Sequence, residues 1–437
     1  MKVLRSFFKG VKYFVFLFFG MLLIIFIVLF IPPIWRNLVT YPGLEKKVAA
    51  FNKLRKEPPR MTELNTYRGI LHAHSFWSHD SEGTLHDLIP AAKNNGIEFI
   101  FLTDHPHGNL DTFPRGYSGM FDGVLIEPGS EKKELGVWPL DSAVINWGTD
   151  KDTLIKQVVS SGGMVVYVHT EEAHNWGNPF YQGMEIYNFH TDVKDEKWLP
   201  HIANFLVNGK RYRHWALREV FDEQKTILAR WDSLNNHRKI FGYSAVDTHE
   251  NMNIRARKMD NGFIQWVGPN ANPFDTVSVN FWNSWLFHEP DENGWVFRFM
   301  IDTYNEGFGY ITNYVLADTL SVSSISSNIK RGHLYAAFKS LGDAKGFLYW
   351  SKNTGNETSG ILGDSVSINQ AASLHAISPL PGRFRLLRNG ETVDTSAETY
   401  EYTWNKPLER GAYRMEIHVD VNGTLTPWLY TNPIYIY

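Results

Sequence analysis

YRGILHAHSFWSHDSEGTLHDLIPAAKNNGIEFIFLTDH, residues 67–105, is the stretch from which the fold of the chain can be inferred. Its pattern predicts a strand, a loop, a helix and a second strand. His72 and His74 lie on one face of the first strand, because strand side chains alternate with a period of two. Both imidazoles therefore point the same way from the end of that strand, where they could bind one cation.

The rest of this stretch brings further polar side chains to the same place. Asp80 follows in a loop rich in Ser, Asp and Gly, and capping-box spacing at Thr84 predicts a helix that ends at Gly96. The apolar run Phe99–Leu102 then predicts a buried strand, and His105 ends the Thr-Asp-His triplet that follows it. Asp104 in that triplet is expected either to orient a ligand or to cap a turn.

The composition is that of a globular protein with more than one domain, since 437 residues exceed the usual domain size and 43% are hydrophobic. The net charge of −3 and the lack of a basic block beyond the N-terminus predict that no nucleic acid is bound. Cysteine is absent. Disulfides and Cys-type zinc sites are therefore excluded, which leaves His, Asp and Glu as metal ligands.

The segment Tyr13–Ile31 is uncharged and almost wholly apolar or aromatic, and at about 1.5 Å per residue it can cross a bilayer. It predicts a transmembrane helix rather than a buried core helix. No small-x-small cleavage site follows before Pro32, so a retained anchor is favoured over a signal peptide. The basic residues lie on the N-terminal side, which predicts a single-pass protein of the cell membrane with a cytoplasmic N-terminus and an extracytoplasmic catalytic domain.

Four regions follow from this pattern: a cytoplasmic tail and transmembrane anchor (1–35), a stalk (36–66), a metal-binding domain (67–338) and a β-sandwich (345–437). Strands are predicted near 68–74, 98–103, 122–127, 163–168, 183–188, 240–247, 276–282 and 308–314, with helices near 151–160 and 196–233. Strands that alternate with helices indicate an α/β fold with parallel strands, and seven or eight of them predict closure into a barrel.

From about Phe347 the pattern changes to short alternating strands, separated by turn signals at Asn389-Gly390 and Asn422-Gly423. This pattern predicts an all-β sandwich. Its aromatic residues Trp404, Trp428 and Tyr430 are expected either to form the sandwich core or to bind glycans.

Nearly every predicted strand of the 67–338 region ends in a potential metal ligand. Those beyond the opening stretch are Glu131, His169, Glu185, His190, Asp247 and His249. One such residue would be unremarkable, but parallel β/α folds gather their chemistry at strand C-terminal ends. The series therefore favours convergence on one metal centre.

In order along the chain, these motifs are HAH (72–74), Asp80, TDH (103–105), GSE (129–131), His169, EIYN followed by His190, and DTH (247–249). The series resembles the polymerase and histidinol phosphatase (PHP) family, and more closely its carbaryl-hydrolase-like metallohydrolase branch. The resemblance covers about residues 67–338. It implies a PHP-type distorted (β/α)7 barrel that holds two or three divalent ions.

The resemblance also implies which residues bind each ion. One ion would be held by His72, His74, Glu131 and Asp247. Glu131 would bridge to a second ion bound by His169 and His190. The third would be held by Asp80, His105 and His249.

These ligand types suit Zn²⁺, Mn²⁺ or Fe²⁺, and clustered ions can lower the pKa of a shared, bridging water to give hydroxide at neutral pH. We expect Asp247 to contact the attacking water, although an Asp here could instead cap the following turn. His190 is the second residue expected to be catalytic. Arg115 could bind an anionic substrate, or it could be a solvated loop arginine.

The sequence thus predicts a membrane-anchored, exported, metal-dependent hydrolase, specifically a phosphoesterase acting on a small-molecule or envelope ester. A carboxylic or carbamic ester hydrolase is the alternative on the same metal site, because the same nucleophile can attack a carbonyl carbon. A non-catalytic envelope-binding protein is the alternative of a different class.

Overall fold

The computed structural model describes residues 2–60, 62–111, 116–141, 143–194, 198–251, 254–268, 272–290, 294–300, 302–421 and 423–437. The chain divides into two compact units. The first unit comprises Met1–Lys53, Asp192–Asp222 and Val421–Gly423, and the second comprises the remaining residues.

The elements are numbered in chain order. The α-helices of the described residues are α1 (Lys2–Trp35), α2 (Tyr41–Asn52), α3 (Leu85–Asn94), α4 (Lys151–Ser160), α5 (Phe189–Lys194), α6 (Trp198–Asn208), α7 (Arg213–Arg218), α8 (Lys225–Asn235), α9 (Tyr304–Tyr310) and α10 (Val322–Arg331). A π-helix, Arg36–Thr40, joins α1 to α2.

The strands that precede the C-terminal region are β1 (Asn65–Leu71), β2 (Phe99–Phe101), β3 (Leu110–Asp111), β4 (Gly119–Phe121), β5 (Val124–Glu127), β6 (Ser130–Lys132), β7 (Leu135–Trp138), β8 (Ile145–Asn146), β9 (Met164–Tyr167), β10 (Gly183–Asn188), β11 (Phe241–Ala245), β12 (Ile254–Lys258), β13 (Ile264–Val267), β14 (Pro273–Val277), β15 (Trp295–Phe299), β16 (Thr312–Ala317) and β17 (Leu334–Ala337). The C-terminal strands are β18 (Leu348–Lys352), β19 (Thr358–Ile361), β20 (Ser365–Val366), β21 (Ser373–Arg388), β22 (Glu391–Trp404), β23 (Gly411–Val421), β24 (Thr424–Thr431) and β25 (Ile434–Ile436).

In the first unit, the continuous helical segment Gly10–Asn52 is long and apolar enough to cross a membrane or to act as a signal sequence. Most of its apolar side chains lie on the surface of the protein rather than in a core. The amide groups of Asn204 and Asn208 on α6 bind this segment near its middle, at Pro33, Asn37 and Tyr41.

In the second unit, two groups of parallel strands carry the predicted site. The strands β1, β2 and β5 pair in parallel, and so do β9, β10 and β11. The first group belongs to a sheet ordered β19-β18-β21-β23-β24-β17-β16-β1-β2-β5-β4, and the second to a sheet ordered β11-β10-β9-β7-β6. Two isolated parallel bridges join the two sheets, Ala73 with Thr248 just beyond β1 and β11, and Asp104 beyond β2 with Ser130 at the start of β6.

Large apolar side chains pack between these strands and fix their positions. Phe99, Phe101, Trp138 and Tyr243 are all buried in one core cluster. Gly69 on β1 is required there, because a Cβ atom at this position would overlap the ring of Phe99 on the neighbouring strand. Tight packing therefore holds β1 and β2 in the register that aligns their ends.

The parallel β/α arrangement predicted around the opening stretch is confirmed. Helix α3 begins after Thr84, whose backbone N–H donates to the Asp87 carboxylate at 2.9 Å, and Gly96 takes a left-handed φ of 60° beyond its end. The (β/α)7 barrel stays a prediction, since the strands form two bridged sheets and β7 runs antiparallel to β9.

The strand predicted at 276–282 is wrong as a member of the parallel series. Strand β14 belongs to an antiparallel sheet ordered β14-β13-β12-β15 and ends at Val277. Asn280 then forms a turn, because its side chain accepts from the backbone N–H of Trp282 at 2.9 Å. Alternation alone could not distinguish this inserted sheet from the parallel strands.

Two other boundaries are corrected by the structure. The strand predicted at 308–314 begins only at Thr312, because Thr303 caps α9 through the N–H of Glu306 and the helix continues to Tyr310. The helix predicted over 196–233 consists, where the chain is described, of the separate helices α6, α7 and α8.

The C-terminal region is rich in strands, and β24 joins it to β17 of the large sheet. The predicted turn between β21 and β22 is present, with left-handed φ values of 53° at Asn389 and 87° at Gly390. Asn422 of the other predicted turn lies outside the described residues. Trp428 and Tyr430 are buried, so the core interpretation is confirmed for these two aromatics. The closed sandwich and the domain boundaries stay predictions.

Candidate metal centre

Four polar side chains meet at the buried centre of the site: His72, His74, Glu131 and Asp247. The Nε2 atoms of His72 and His74 lie 3.1 Å apart, and each is 3.1 Å from Oδ1 of Asp247. Oε2 of Glu131 lies 2.8 Å from His72 Nε2 and 3.3 Å from His74 Nε2. All four residues are buried.

This spacing fits a divalent ion. A tetrahedral ion with bonds of about 2.0–2.1 Å holds its donor atoms roughly 3.3 Å apart, close to the separations seen here. His72 and His74 both direct their Nε2 atoms toward the carboxylates of Asp247 and Glu131. Such convergence of neutral and anionic donors is chemistry suited to a shared cation.

The two oxygens of Glu131 face different partners. Oε2 faces His72 and His74, whereas Oε1 lies 3.0 Å from Nε2 of His169. His169 Nε2 also lies 3.7 Å from Oδ2 of Asp247. A carboxylate that divides its oxygens in this way is placed to be shared by two ions.

A second potential ligand group lies beside the first and comprises His74, Asp80, His105 and His249. Oδ2 of Asp80 lies 3.3 Å from His105 Nε2 and 3.5 Å from His249 Nε2. The ring of His74 stacks on that of His249, with centroids 4.1 Å apart. The structure therefore brings together the three residues expected to hold the third ion.

A third group contains a residue that the sequence did not reveal, Asp302. Its Oδ2 atom accepts the backbone N–H of His249 at 2.8 Å and lies 4.0 Å from His190 Nδ1. The structure thus places His190 beside Asp302 and His249, while its sharing of an ion with His169 stays a prediction. Asp302 lies just before α9, where no motif distinguished it from a helix-flanking acid.

Glu185 contacts His72 through the ring nitrogen that faces away from the other ligands. Its Oε1 atom lies 2.5 Å from His72 Nδ1, and its Oε2 atom accepts the backbone N–H of His169 at 2.8 Å. Asn188 donates to the same carboxylate at 3.1 Å. A buried acceptor on the far nitrogen fixes the orientation and the tautomer of a ligand imidazole.

Two other expectations have different outcomes. Asp104 was expected to orient a ligand ring, but its described hydrogen bonds come from the backbone N–H and the hydroxyl of Ser75, at 2.5 and 2.9 Å. It therefore positions the loop that follows His74, which is the turn-capping alternative. Arg115 lies outside the described residues.

Negative charge accumulates in the site. Within the described part of the chain, the ion pairs of five carboxylates are all with histidines; these acids are Asp80, Glu131, Glu185, Asp247 and Asp302. Such a cluster needs positive charge from protons or metal ions.

The histidine pKa values show the direction of this field. Burial alone would lower the pKa of His72, but the charges of Asp247, Glu131 and Glu185 raise it well above its usual value. At His169, burial would also lower the pKa, but hydrogen bonding to Glu131 and Glu171 raises it to about 11. The site therefore favours cations strongly.

Three of these residues have a strained backbone. His72, His169 and Asp247 have left-handed φ values of 79°, 48° and 51°, and each follows the end of a parallel strand. Such conformations cost about 1–3 kcal/mol each in residues other than glycine and cluster at functional sites. Their occurrence at three predicted ligands supports a functional constraint on this edge of the sheets.

The site is closed at its base and open on one side. The side chains of His72 and His74 are fully buried, whereas those of Asp80, His105 and His169 are 26%, 25% and 21% exposed. Solvent can therefore reach the site from the side of these three residues.

Comparison with known proteins adds little to this description. No protein-family model matches the sequence, and no curated protein matches it significantly. Among solved structures, the chain is similar to a two-domain protein from Bacteroides vulgatus that contains a predicted PHP-like metal-dependent phosphoesterase. The TM-score is 0.36 at 11% identity, and the similarity covers 87% of this chain and 99% of that chain. At this level it carries no argument, and nothing in it supports the carbaryl-hydrolase-like branch.

The ligand assignment predicts the metal content of the protein. The full chain, purified in detergent and loaded with Mn²⁺ or Zn²⁺, should retain roughly two or three ions. The double variant His72→Ala with His74→Ala should lose most of them, because it removes donors from two neighbouring groups. Elemental analysis measures this loss.

A matched control removes two histidines elsewhere. His237→Ala with His375→Ala should leave the metal content unchanged, since neither residue belongs to a potential ligand group of the described chain. Full metal content in the His72 and His74 double variant would exclude these two residues as ligands.

Proposed function

We propose that the protein is a metal-dependent hydrolase, and specifically a phosphoesterase. This proposal rests on the positions of the two carboxylate oxygens of Glu131. Oε2 faces His72 and His74, whereas Oε1 faces His169. Paired ions that share a carboxylate are typical of enzymes that hydrolyse phosphate esters. The choice of phosphate over carbonyl esters rests on the sequence resemblance to the PHP family.

The donor set fits two or three divalent ions of the Zn²⁺, Mn²⁺ or Fe²⁺ class. When bound, such ions lower the pKa of water and stabilise negative charge on a phosphoryl oxygen. His72, His74 and Asp247 would hold such ions at one place, and Glu185 fixes the orientation of the His72 imidazole.

Asp247 contributes fixed charge. Burial would raise its pKa, but the neighbouring charges of His72 and His190 hold that pKa well below its usual value. Asp247 therefore stays ionised at neutral pH. We infer that it compensates the cations and accepts a hydrogen bond from the attacking water.

His190 is the residue that we propose for proton transfer. Its Nδ1 atom lies 4.0 Å from Oδ2 of Asp302, within the third potential ligand group. An imidazole nitrogen that does not bind an ion can donate a proton to a leaving oxygen. We propose that His190 takes this role when it is not bound to an ion, and that it otherwise serves as the predicted ligand.

We also propose that α1 is a retained membrane anchor with a cytoplasmic N-terminus, so that the catalytic unit is exported. Support for retention comes from Asn208, whose side-chain amide donates to the Pro33 carbonyl at 3.1 Å. Removal of α1 would leave this buried amide without that partner. The proposed substrate is a small-molecule or envelope ester.

The reaction class is tested by a hydrolysis screen and one variant. With added Mn²⁺ or Zn²⁺, the full chain should hydrolyse phosphate esters and not carboxylic or carbamic esters. Asp247→Asn should lower that turnover by roughly 10²-fold or more, because it removes charge and basicity. Asn tolerates the left-handed backbone of this position, so thermal unfolding should change only modestly.

Asp232→Asn is the matched control for this variant. Asp232 is also buried, but it pairs with Arg414 at 2.6 and 2.8 Å. This control should lose roughly 1.5–3 kcal/mol of stability and keep its turnover. Near-normal turnover in Asp247→Asn would remove Asp247 from the catalytic set, and carbonyl-ester turnover alone would overturn the phosphoesterase assignment.

The proposed orientation is tested separately, because it rests on the basic residues before Tyr13. Protease added to intact spheroplasts should digest the catalytic unit, while a tag at the N-terminus should stay protected. Protection of the catalytic unit with loss of the tag would mean that the orientation is inverted.

A further inference from the structure

The ring of His169 is contacted at both of its nitrogens. Nε2 lies 3.0 Å from Oε1 of Glu131 and faces the site. Nδ1, on the other edge of the ring, lies 3.4 Å from the Thr191 hydroxyl and 3.5 Å from Oε1 of Glu171. Neither Glu171 nor Thr191 belongs to a potential ligand group of the described chain. The ligand assignment therefore gives neither residue a role.

The hydrogen atoms around Nδ1 of His169 can be assigned from the donors that are present. A carboxylate that solvent reaches carries no proton at neutral pH, so the Thr191 hydroxyl donates to Oε1 of Glu171, at 2.9 Å. That hydroxyl then offers only lone pairs to His169, as Glu171 does. Because both groups accept, Nδ1 carries the hydrogen. In the neutral imidazole, Nε2 then has the free lone pair that a metal ion requires.

The backbone that carries His169 and Glu171 is fixed by several hydrogen bonds. The carbonyl of His169 accepts from the backbone N–H of Glu172 at 2.9 Å and from Nε2 of His174 at 3.0 Å. The hydroxyl of Thr170 donates to a backbone carbonyl of β10 at 2.8 Å. Thr170 is buried, whereas the Glu171 side chain is 34% exposed. These contacts hold the turn in the conformation that brings Glu171 back to the His169 ring.

The amide of Asn188 holds both Thr191 and Glu185. Its oxygen accepts the backbone N–H of Thr191 at 3.1 Å, and its nitrogen donates to Glu185 at 3.1 Å. Glu185 in turn contacts Nδ1 of His72, whose Nε2 faces Glu131. The two imidazoles that face Glu131 in this way thus each have a carboxylate at Nδ1, and one amide helps to place both arrangements.

We propose that Glu171 is a positioning residue for His169 and that it selectively strengthens the binding of the ion at His169. This inference rests on the proposed sharing of Glu131 by two ions. An anionic acceptor at Nδ1 fixes the orientation of the ring and raises the basicity of Nε2. Glu185 would act in the same way on His72, but its carboxylate is buried. Since solvent screens the charge of Glu171, the ion at His169 would be the more weakly held of the two.

Metal titration of the full chain tests this proposal. The metal-free protein in detergent would be titrated with Mn²⁺ and, separately, with Zn²⁺, and His169→Ala would identify the binding step that depends on His169. Glu171→Gln should weaken that step by roughly 10- to 100-fold, because it removes the anionic partner of the ligand imidazole. The other binding steps should be unchanged, which also shows that the site is folded.

Three further variants separate positioning from other effects. Glu172→Gln removes the same charge at the next residue, which is exposed, and should leave every binding step unchanged. Thr191→Val removes the hydroxyl that donates to Glu171 and should weaken the His169-dependent step. Thr191→Ser keeps the hydroxyl and should restore that step.

Four results would overturn the proposal. The first is an unchanged His169-dependent step in Glu171→Gln, and the second is an equal weakening of all steps, which would indicate overall charge or folding. The third is a shift in Glu171→Gln that Thr191→Val does not share, which would mean that Glu171 binds the ion itself. The fourth is native protein without a His169-dependent step, which would also overturn the sharing of Glu131. The hydrolysis screen decides the reaction class independently of these results.

Discussion

The structure of the second unit depends on one electrostatic constraint, the concentration of carboxylates around a few imidazoles. Glu131 and Asp247 are buried, and within the described chain their ion pairs are all with histidines. Burying such charge is costly unless it is compensated. Protons on the histidines provide part of that compensation, and divalent ions would provide it better while using the same donor atoms. This requirement explains why imidazoles and carboxylates alternate through the site.

The fold meets this constraint by aligning strand ends. Phe99, Trp138 and Tyr243 belong to one core cluster drawn from both sheets, and the bridges of Ala73 with Thr248 and of Asp104 with Ser130 join the two sheets beside the ligands. The left-handed backbones at His72, His169 and Asp247 then turn the chain at these ends. Their strain, about 1–3 kcal/mol each, is tolerated because the surrounding core fixes both flanks. Packing and site geometry are therefore coupled.

The sequence predicted the part of this arrangement that periodicity controls. His72 and His74 were placed together by alternation in one strand, and His169 and Asp247 by their positions after apolar strands. Asp302 could not be predicted, because it reaches His249 across the fold from a segment without a motif. The sequence placed Glu185 on a strand, but only the structure shows that its carboxylate contacts Nδ1 of His72. The β12–β15 sheet was missed for a related reason: its alternation matches that of a parallel strand, and the pairing partner decides the topology.

We propose that Glu131 would be shared by two ions. X-ray absorption spectroscopy of the Mn²⁺- or Zn²⁺-loaded full chain measures this most directly. Metal–metal scattering is expected at about 3.5–4 Å in the native protein. Glu131→Gln should lose that feature while keeping scattering from imidazole nitrogen. Loaded native protein with nitrogen and oxygen neighbours but without metal–metal scattering would contradict the account.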